Sequence, residues 1–253
     1  MRLKSKEDIE ILREGGARNA EILRALSALV KPGISTFDLE KAATEMLMEQ
    51  GDQSATLGYT PAGHRHPYPA NTCISVNEEI VHGIPNTHKI LKEGDIVTLD
   101  LSMVHKNLYT DSAITVPVGK IDEESEKLIR ATKEALMRGI SAAKPGNHIG
   151  DIGEAISDYA EAAGFAIAED LAGHGVGYAL HEDPYVPNVG RAGKGELLKP
   201  GMVIAIEPML CAGSGRIKVL SDGYTIVTKD GSRSAHFEHT VAITETGNII
   251  LTQ

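Results

Sequence analysis

Leu91-Lys92-Glu93-Gly94-Asp95-Ile96-Val97-Thr98-Leu99-Asp100 returns later in the chain as Leu198-Lys199-Pro200-Gly201-Met202-Val203-Ile204-Ala205-Ile206-Glu207. Each copy sets a glycine before a run of Ile, Val, Leu and Ala that reads as a buried strand, and each ends on an acid. A carboxylate in such a place is costly to desolvate, so something must neutralise it. A further strand carrying another acid follows each copy: Tyr109-Thr110-Asp111-Ser112-Ala113 after the first, Phe237-Glu238-His239-Thr240-Val241 after the second. Four acids on four strands predict one charged site.

The repetition reaches further. Lys31-Pro32-Gly33, Asp38, Ala42 and Gly51 are matched by Lys144-Pro145-Gly146, Asp151, Ala155 and Gly164, each pair 113 positions apart. Before each Lys-Pro-Gly, apolar residues recur at helical spacing: Ile9, Ile11, Leu12, Ile22, Leu23, Leu26 and Leu29, then Leu128, Ile129, Ala135, Leu136 and Ile140. A second helix is expected after each break, starting near Ser35 or Thr36 and between Asn147 and Asp151, and stopping near Gly51 or Gly164. Helix, helix and antiparallel strands, twice over, make an α+β architecture with helices on one face of a sheet. Halves of about 1–118 and 119–253 are expected to form a single domain over 1–253, with equivalent strands side by side at the centre and the four acids converging. No Gly/Ser/Pro-rich linker follows residues 110–125 to divide them. Tyr59 to Asn71, with Pro61, Gly63, Pro67 and Pro69, reads as a surface loop.

The 253 residues carry 35 acidic against 25 basic side chains, a formal charge of −10, with no Lys/Arg-rich block. A nucleic-acid backbone is therefore not expected as the main ligand, although transient contact with a ribosome is compatible with this composition. Only two cysteines occur, Cys73 and Cys211, which suits a reducing compartment better than a disulfide framework. Met1-Arg2-Leu3-Lys4 leads into a polar amphipathic segment unlike a signal peptide, and no apolar run approaches the ~20 residues that span a bilayer. The expectation is a cytoplasmic protein with no membrane segment.

Asp100 and Asp111 stand eleven apart, a spacing that suits a hairpin returning one acid beside the other. Two adjacent carboxylates either share a proton or bridge a divalent cation. Gly173-His174-Gly175-Val176-Gly177 favours the cation, because an uncrowded imidazole between glycines is a ready nitrogen ligand and a proton-sharing pair has no use for it. Asp100, Asp111, His174, Glu207 and Glu238 together supply four negative charges and one neutral nitrogen, which balances two M²⁺ ions. His82, in Val81-His82-Gly83-Ile84-Pro85, and His181, in Leu180-His181-Glu182-Asp183-Pro184, end apolar stretches where turns begin, places that usually line a cleft. His236 and His239 flank Glu238 and are expected to hydrogen-bond ligand carboxylates; His64, His66, His88, His105 and His148 have no comparable context.

These stretches, with Cys73-Ile74-Ser75-Val76-Asn77, Ile206-Glu207-Pro208-Met209, Asp222-Gly223-Tyr224-Thr225 and Ser234-Ala235-His236-Phe237-Glu238-His239-Thr240, resemble the type I methionine aminopeptidases of the pita-bread fold over nearly the whole chain. The resemblance implies that Asp100, Asp111, His174, Glu207 and Glu238 hold two divalent metal ions, with Co, Mn, Fe and Zn all suited to an oxygen-rich set with one imidazole. It implies hydrolysis by a metal-activated water, with Glu207 moving the proton, His181 donating to the scissile carbonyl oxygen and His82 holding the leaving amide. By position, the methionine side chain would meet Tyr59, Tyr68, Cys73, Leu180 and Tyr224, with Met209 nearby. The chain departs from its relatives there: many have an aromatic residue in place of Leu180 and a Trp in place of Tyr224, and the loop Thr60 to Pro67 is longer than in short bacterial members.

The substrates implied are N-termini of nascent polypeptides with a small second residue, acted on by a monomer. Arg2 is large, so the chain's own Met1 is expected to be retained. Two rivals share the ligand set or the fold: an Xaa-Pro aminopeptidase or dipeptidase, which usually carries a separate N-terminal domain, and a non-catalytic peptide-binding module, which typically loses ligands.

Overall fold

Each Lys-Pro-Gly turn separates two helices, as the periodicity predicts: α1 (Lys6–Leu29) and α2 (Thr36–Gln50) in the first half, α3 (Glu123–Ala142) and α4 (Ile149–Ala163) in the second. The structure, a computed structural model, describes residues 2–61 and 63–253, so Met1, with its expected retention, lies outside it. The second helix of each half starts on the same device: the Asp38 carboxylate accepts from Ser35 N at 3.0 Å, and that of Asp151 accepts from His148 N at 2.8 Å.

The first half adds strands β1 (Gln53–Ser54), β2 (Cys73–Val76), β3 (Glu79–Val81), β4 (Ile96–His105) and β5 (Leu108–Pro117). The second adds β6 (Ala166–Ile167), β7 (Ala172–Gly175), β8 (Glu182–Pro187), β9 (Val203–Ile206) and β10 (Met209–Cys211). It continues with β11 (Ile217–Val219), β12 (Ile226–Thr228), β13 (Ser234–His236), β14 (Glu238–Ile243) and β15 (Asn248–Ile250). Nine strands make one sheet in the order β1-β4-β5-β14-β9-β7-β8, with β2 also on β4 and β15 also on β14, and these pairs are all antiparallel. The smaller sheets β13-β10-β6 and β11-β12-β3 flank it.

The duplication is exact in hydrogen bonding. Gly33 N donates to Leu91 O at 2.8 Å as Gly146 N does to Leu198 O at 3.1 Å, and Gly94 N donates to Val118 O at 3.0 Å as Gly201 N does to Ile243 O at 2.9 Å. Gly94 and Gly201 have φ of +92° and +90°, the left-handed region a side chain avoids, so glycine is required where the chain turns into β4 and β9. This pairing makes β4 the equivalent of β9 and β5 the equivalent of β14.

Period-two alternation decides the two faces. On β4, Val97, Leu99, Leu101 and Met103 pack with Leu23, Leu26, Leu39 and Leu47 of α1 and α2, which leaves Thr98, Asp100 and Ser102 on the other side. On β9 and β14, Ile204, Ile206, Val241 and Ile243 pack with Leu136, Ile140, Ile152 and Ile156 of α3 and α4, and so Glu238 shares the opposite face with Asp100. The Tyr59 to Asn71 stretch departs from a plain surface loop: Tyr68 and Ala70 are buried, because their side chains turn inward onto Cys73 and Tyr224.

Leu101 is fully buried between the two site-facing residues Asp100 and Ser102. Its replacement by Ala is expected to cost about 3 kcal/mol through lost contacts and a residual cavity, read as a lower midpoint in urea unfolding with an unchanged slope.

Candidate metal centre and active site

The register of β4, β5 and β14 builds a row of site-facing side chains. Asp100 lies opposite Ala113, which lies opposite Glu238. Asp111 lies opposite Ser102, so the two aspartates sit diagonally, one pair of residues out of level, where the hairpin spacing suggested side by side. Ser102 Oγ donates to Asp111 Oδ1 at 2.8 Å. Glu207 follows Ile206, whose partner is His239, and so comes level with Glu238. His174 arrives on β7, whose Gly175 pairs with Ile204.

Close backbone approach makes the His174 position. A Cβ on Gly173 would lie 2.2 Å from Ala205 O, and one on Gly175 would lie 2.1 Å from Asp183 O, so only glycine fits on either side. His174 Nδ1 lies 2.9 Å from Gly175 O, which requires the proton on Nδ1 and leaves the Nε2 lone pair facing the acids. Nε2 stands 3.5 Å from Glu207 Oε1 and 3.9 Å from Asp111 Oδ2. Asp111, His174 and Glu238 each offer a ligand atom within 4.8 Å of the others.

The electrostatics of this cluster ask for a cation. Among the described residues no Lys or Arg pairs with Asp100, Asp111, Glu207 or Glu238. Burial pushes all four carboxyls up, Asp111 to about 6 and the other three well above the usual carboxylate range, with the neighbouring acids adding to the rise in those three. Glu238 Oε1 is buried without a hydrogen-bond partner. Burial pushes His174 down to about 3, so it stays a neutral nitrogen donor. Oxygen donors converging with one imidazole, none neutralised by the protein, fit divalent metal well.

Above the cluster lies a cavity of about 330 Å³. Tyr59, Tyr68, Cys73, Leu180, Met209 and Tyr224, the six residues expected to meet a methionine side chain, all line it. Tyr68 Oη donates to Gly83 O at 3.0 Å, which anchors one wall. The Cys73 thiol is buried and pushed well above its ordinary value by that burial and by Asp100, so it acts as an apolar wall group. His82 and His181 also line the cavity. His82 has φ +59°, and burial with His181 and His64 nearby pushes its imidazole down to about 4. The His181 ring meets His174 edge-on with centroids 4.4 Å apart, and its Nδ1 lies 2.8 Å from Tyr59 Oη.

The two histidines beside Glu238 part company. His236 Nε2 stands 3.6 Å from Glu207 Oε2 and 3.9 Å from Glu238 Oε2. His239, one residue from Glu238 and so on the opposite face, is out of the site, its Nδ1 2.9 Å from Thr252 Oγ1. Alternation along the strand was the signal that separates them. His64, which has no telling context in the sequence, stacks on Tyr224 and lines the cavity, and the irregular loop around it has no period from which to read a facing.

Comparison with known proteins agrees with this geometry. Residues 10–245 match metallopeptidase family M24. The methionine aminopeptidase of Aquifex aeolicus is 47% identical over 255 residues, covering 99% of this chain and 98% of the relative. The chain belongs to the methionine aminopeptidases of family M24. The crystal structure of the Thermotoga maritima methionine aminopeptidase superposes with a TM-score of 0.95 at 43% identity, covering 100% of this chain and 99% of that one. The prolidase of Pyrococcus furiosus shares the pita-bread fold alone, with a TM-score of 0.78 at 23% identity over 99% of this chain and 65% of its own. Members of the M24 metallopeptidases use divalent metal, which the acid cluster accommodates.

A pH dependence follows from the buried groups. The acids have raised folded-state values, so each contributes stability that fades as pH rises through the ordinary carboxylate range toward its folded value. His82, His174, His236 and His239, all lowered, act oppositely, but only below about 6.5, where unfolded histidine protonates. Above that pH the acids alone remain. The metal-free protein is therefore expected to lose melting temperature between pH 6.5 and 8.5 by calorimetry, and saturating Mn²⁺ or Co²⁺ to abolish the loss. A metal-free melting temperature that rises across this interval contradicts the account.

Proposed function

We propose that the chain removes the N-terminal methionine from new polypeptides whose second residue is small, using two divalent metal ions. The convergence of Asp100, Asp111, His174, Glu207 and Glu238 beneath a side-chain pocket carries this reading. Those five residues would hold the ions, Co, Mn, Fe or Zn, which when bound supply an activated water and a polarised scissile carbonyl.

The chain's own groups do the remaining work. Glu207, lining the cavity as a carboxylate when metal is bound, takes a proton from the attacking water and returns it to the leaving amine. His236 Nε2 faces Glu207 Oε2 at 3.6 Å, beyond hydrogen-bond range. Burial keeps the Tyr59 hydroxyl protonated, and in this reading it donates a hydrogen bond to His181 Nδ1, 2.8 Å away. That bond selects the tautomer with the proton on His181 Nε2, the form that donates to a carbonyl oxygen gaining charge. His82, neutral at physiological pH, holds the leaving amide. The acids receive the substrate's free α-amino group, which limits cleavage to the first residue, and the Tyr68, Cys73 and Leu180 walls take the thioether side chain.

The continuous sheet of β4, β5, β14 and β9 supports residues 1–253 as one domain made of two copies. Among the described residues no helix is long and apolar enough to cross a membrane, and the two buried free thiols suit a reducing compartment such as the cytoplasm. An Xaa-Pro specificity is disfavoured because the prolidase likeness extends to the fold alone.

Release of methionine from Met-Ala-Ser, lost on chelation and restored by metal, is the expected result; preferential cleavage of an Xaa-Pro peptide replaces this reading. His181→Ala is expected to lower kcat by about 100-fold with little change in KM, as for loss of one oxyanion donor, and Tyr59→Phe to lower it less, since the ring stays and only the tautomer preference is lost.

A further inference from the structure

We propose that Lys4 is a positioning residue for the hydrolysis: through Glu182 it fixes the turn that presents His181 to the scissile carbonyl. The inference rests on the aminopeptidase reading and adds to it a side chain that does not line the cavity.

The turn has little structure of its own. Residues 176–181 join β7 to β8 outside any helix or strand, and the ladder between those strands is irregular at His174 and Gly175. Within the turn, Gly177 N donates to Ala179 O at 3.2 Å. What closes it is the side chain that follows His181. Glu182 Oε1 accepts from Tyr178 N and from Ala179 N, the latter at 2.9 Å, so one carboxylate oxygen gathers two amides of the turn. Hydrogen bonds to an ionised acceptor are roughly twice as strong as neutral ones, and they hold the turn in place only while the carboxylate is itself fixed.

Lys4 fixes it from 178 positions away. Its Nζ donates to Glu182 Oε2 at 2.7 Å, and the Lys4 side chain is fully buried. Burial pulls the Lys4 ammonium below its ordinary value, and the Glu182 carboxylate acts against that fall. An ammonium taken out of water needs such a partner. The turn passes so close that a Cβ on Gly177 would lie 2.4 Å from Lys4 Cε.

Two further ties hold the N-terminal segment where Lys4 needs it. Tyr178 Oη donates to Asp8 Oδ2 at 2.6 Å, and the same oxygen accepts from Ser5 N at 2.9 Å at the start of α1. Lys4 N donates to Gly201 O at 2.7 Å, at the turn into β9, the strand that leads to Glu207. The segment therefore straps the turn bearing His181 to the strand leading to Glu207, with the Lys4–Glu182 pair as its buckle.

A displacement of about 1 Å at a reacting group can cost about 100-fold in rate. Lys4→Met, which keeps the apolar stem and removes the ammonium, is expected to lower kcat on Met-Ala-Ser by about 10-fold with KM unchanged within twofold. In a His181→Ala background the same substitution is expected to lower kcat by less than about twofold, because the group it positions is already gone. Glu182→Gln, which keeps the shape and removes the charge, is expected to repeat both results and carries the test if Lys4→Met does not fold. A loss that appears in KM, that is equal in the two backgrounds, or that stays within twofold in the wild-type background overturns the proposal. A second readout does not depend on catalysis: in zinc-loaded protein with ¹³C-labelled histidine, the His181 ring resonance, assigned by its disappearance in His181→Ala, is expected to move in Lys4→Met while that of His148 stays. A His181 resonance that does not move also overturns the proposal. If the wild type releases no methionine while the resonance moves, the aminopeptidase reading fails and the positioning of His181 by Lys4 stands.

Discussion

Two threonines hold the halves of this molecule in register. Thr240 Oγ1 donates to Asp111 O at 2.7 Å and accepts from Asp111 N at 2.9 Å, and Thr115 Oγ1 donates to His236 O at 2.8 Å and accepts from His236 N at 2.9 Å. The contacts are reciprocal, as a twofold axis requires, although both partners belong to one chain. The ladder between β5 and β14 spans only Ala113 with Glu238 and Ser112 with His239, and the threonine hydroxyls extend it in both directions. All four groups are buried, so an orphaned amide or carbonyl there would cost about 1–3 kcal/mol. Any slip of one half past the other breaks both sets together.

Chemistry depends on that seam. Under the pseudo-twofold, Asp100 corresponds to Glu207, Asp111 to His236, and Ala113 to Glu238. Where the copies agree they supply acids, and where they differ they remove symmetry: a neutral imidazole faces Glu207 in place of a fifth carboxylate, and Glu238 occupies the place of a methyl group. His174 adds one nitrogen from the second half alone. Four mutually repelling acids in a buried site lower the stability of the metal-free fold, a cost that enzymes accept at sites where charge is needed for function. The same burial keeps the neighbouring histidines neutral.

The helices and the site face were legible because they depend on local periods. Leu23 and Leu26 lie in a core stripe by spacing alone, and Asp100 follows Leu99 on a strand whose alternation sends it the other way. The starts of the second helices were legible near Ser35 or Thr36 and between Asn147 and Asp151, and the structure then pairs Ser35 with Asp38 and His148 with Asp151. Alternation also separates His236 from His239 once Glu238 is known to face the site, so grouping the two as equal neighbours set proximity in sequence above strand geometry. Aligning Thr115 with Thr240 places His236 on Asp111, both pairs 125 positions apart, a spacing different from the 113 of the helices and so not readable from that repeat. His64 had no such signal, since a loop with Pro61, Gly63 and Pro67 has no period.

By itself the sequence determined the duplication, the two-faced sheet, and the candidate site of four acids and an imidazole, because these follow from residue type and local spacing. Only the tertiary structure decided that Asp111 sits diagonal to Asp100, that His236 faces Glu207, that the Tyr59 hydroxyl lies 2.8 Å from His181 Nδ1, and that His64 stacks on Tyr224. Each of these juxtaposes residues distant in the chain or on different elements, where a shift of an ångström changes which groups meet. Periodicity chooses a face, but the β5–β14 seam and the loop ties choose the neighbour.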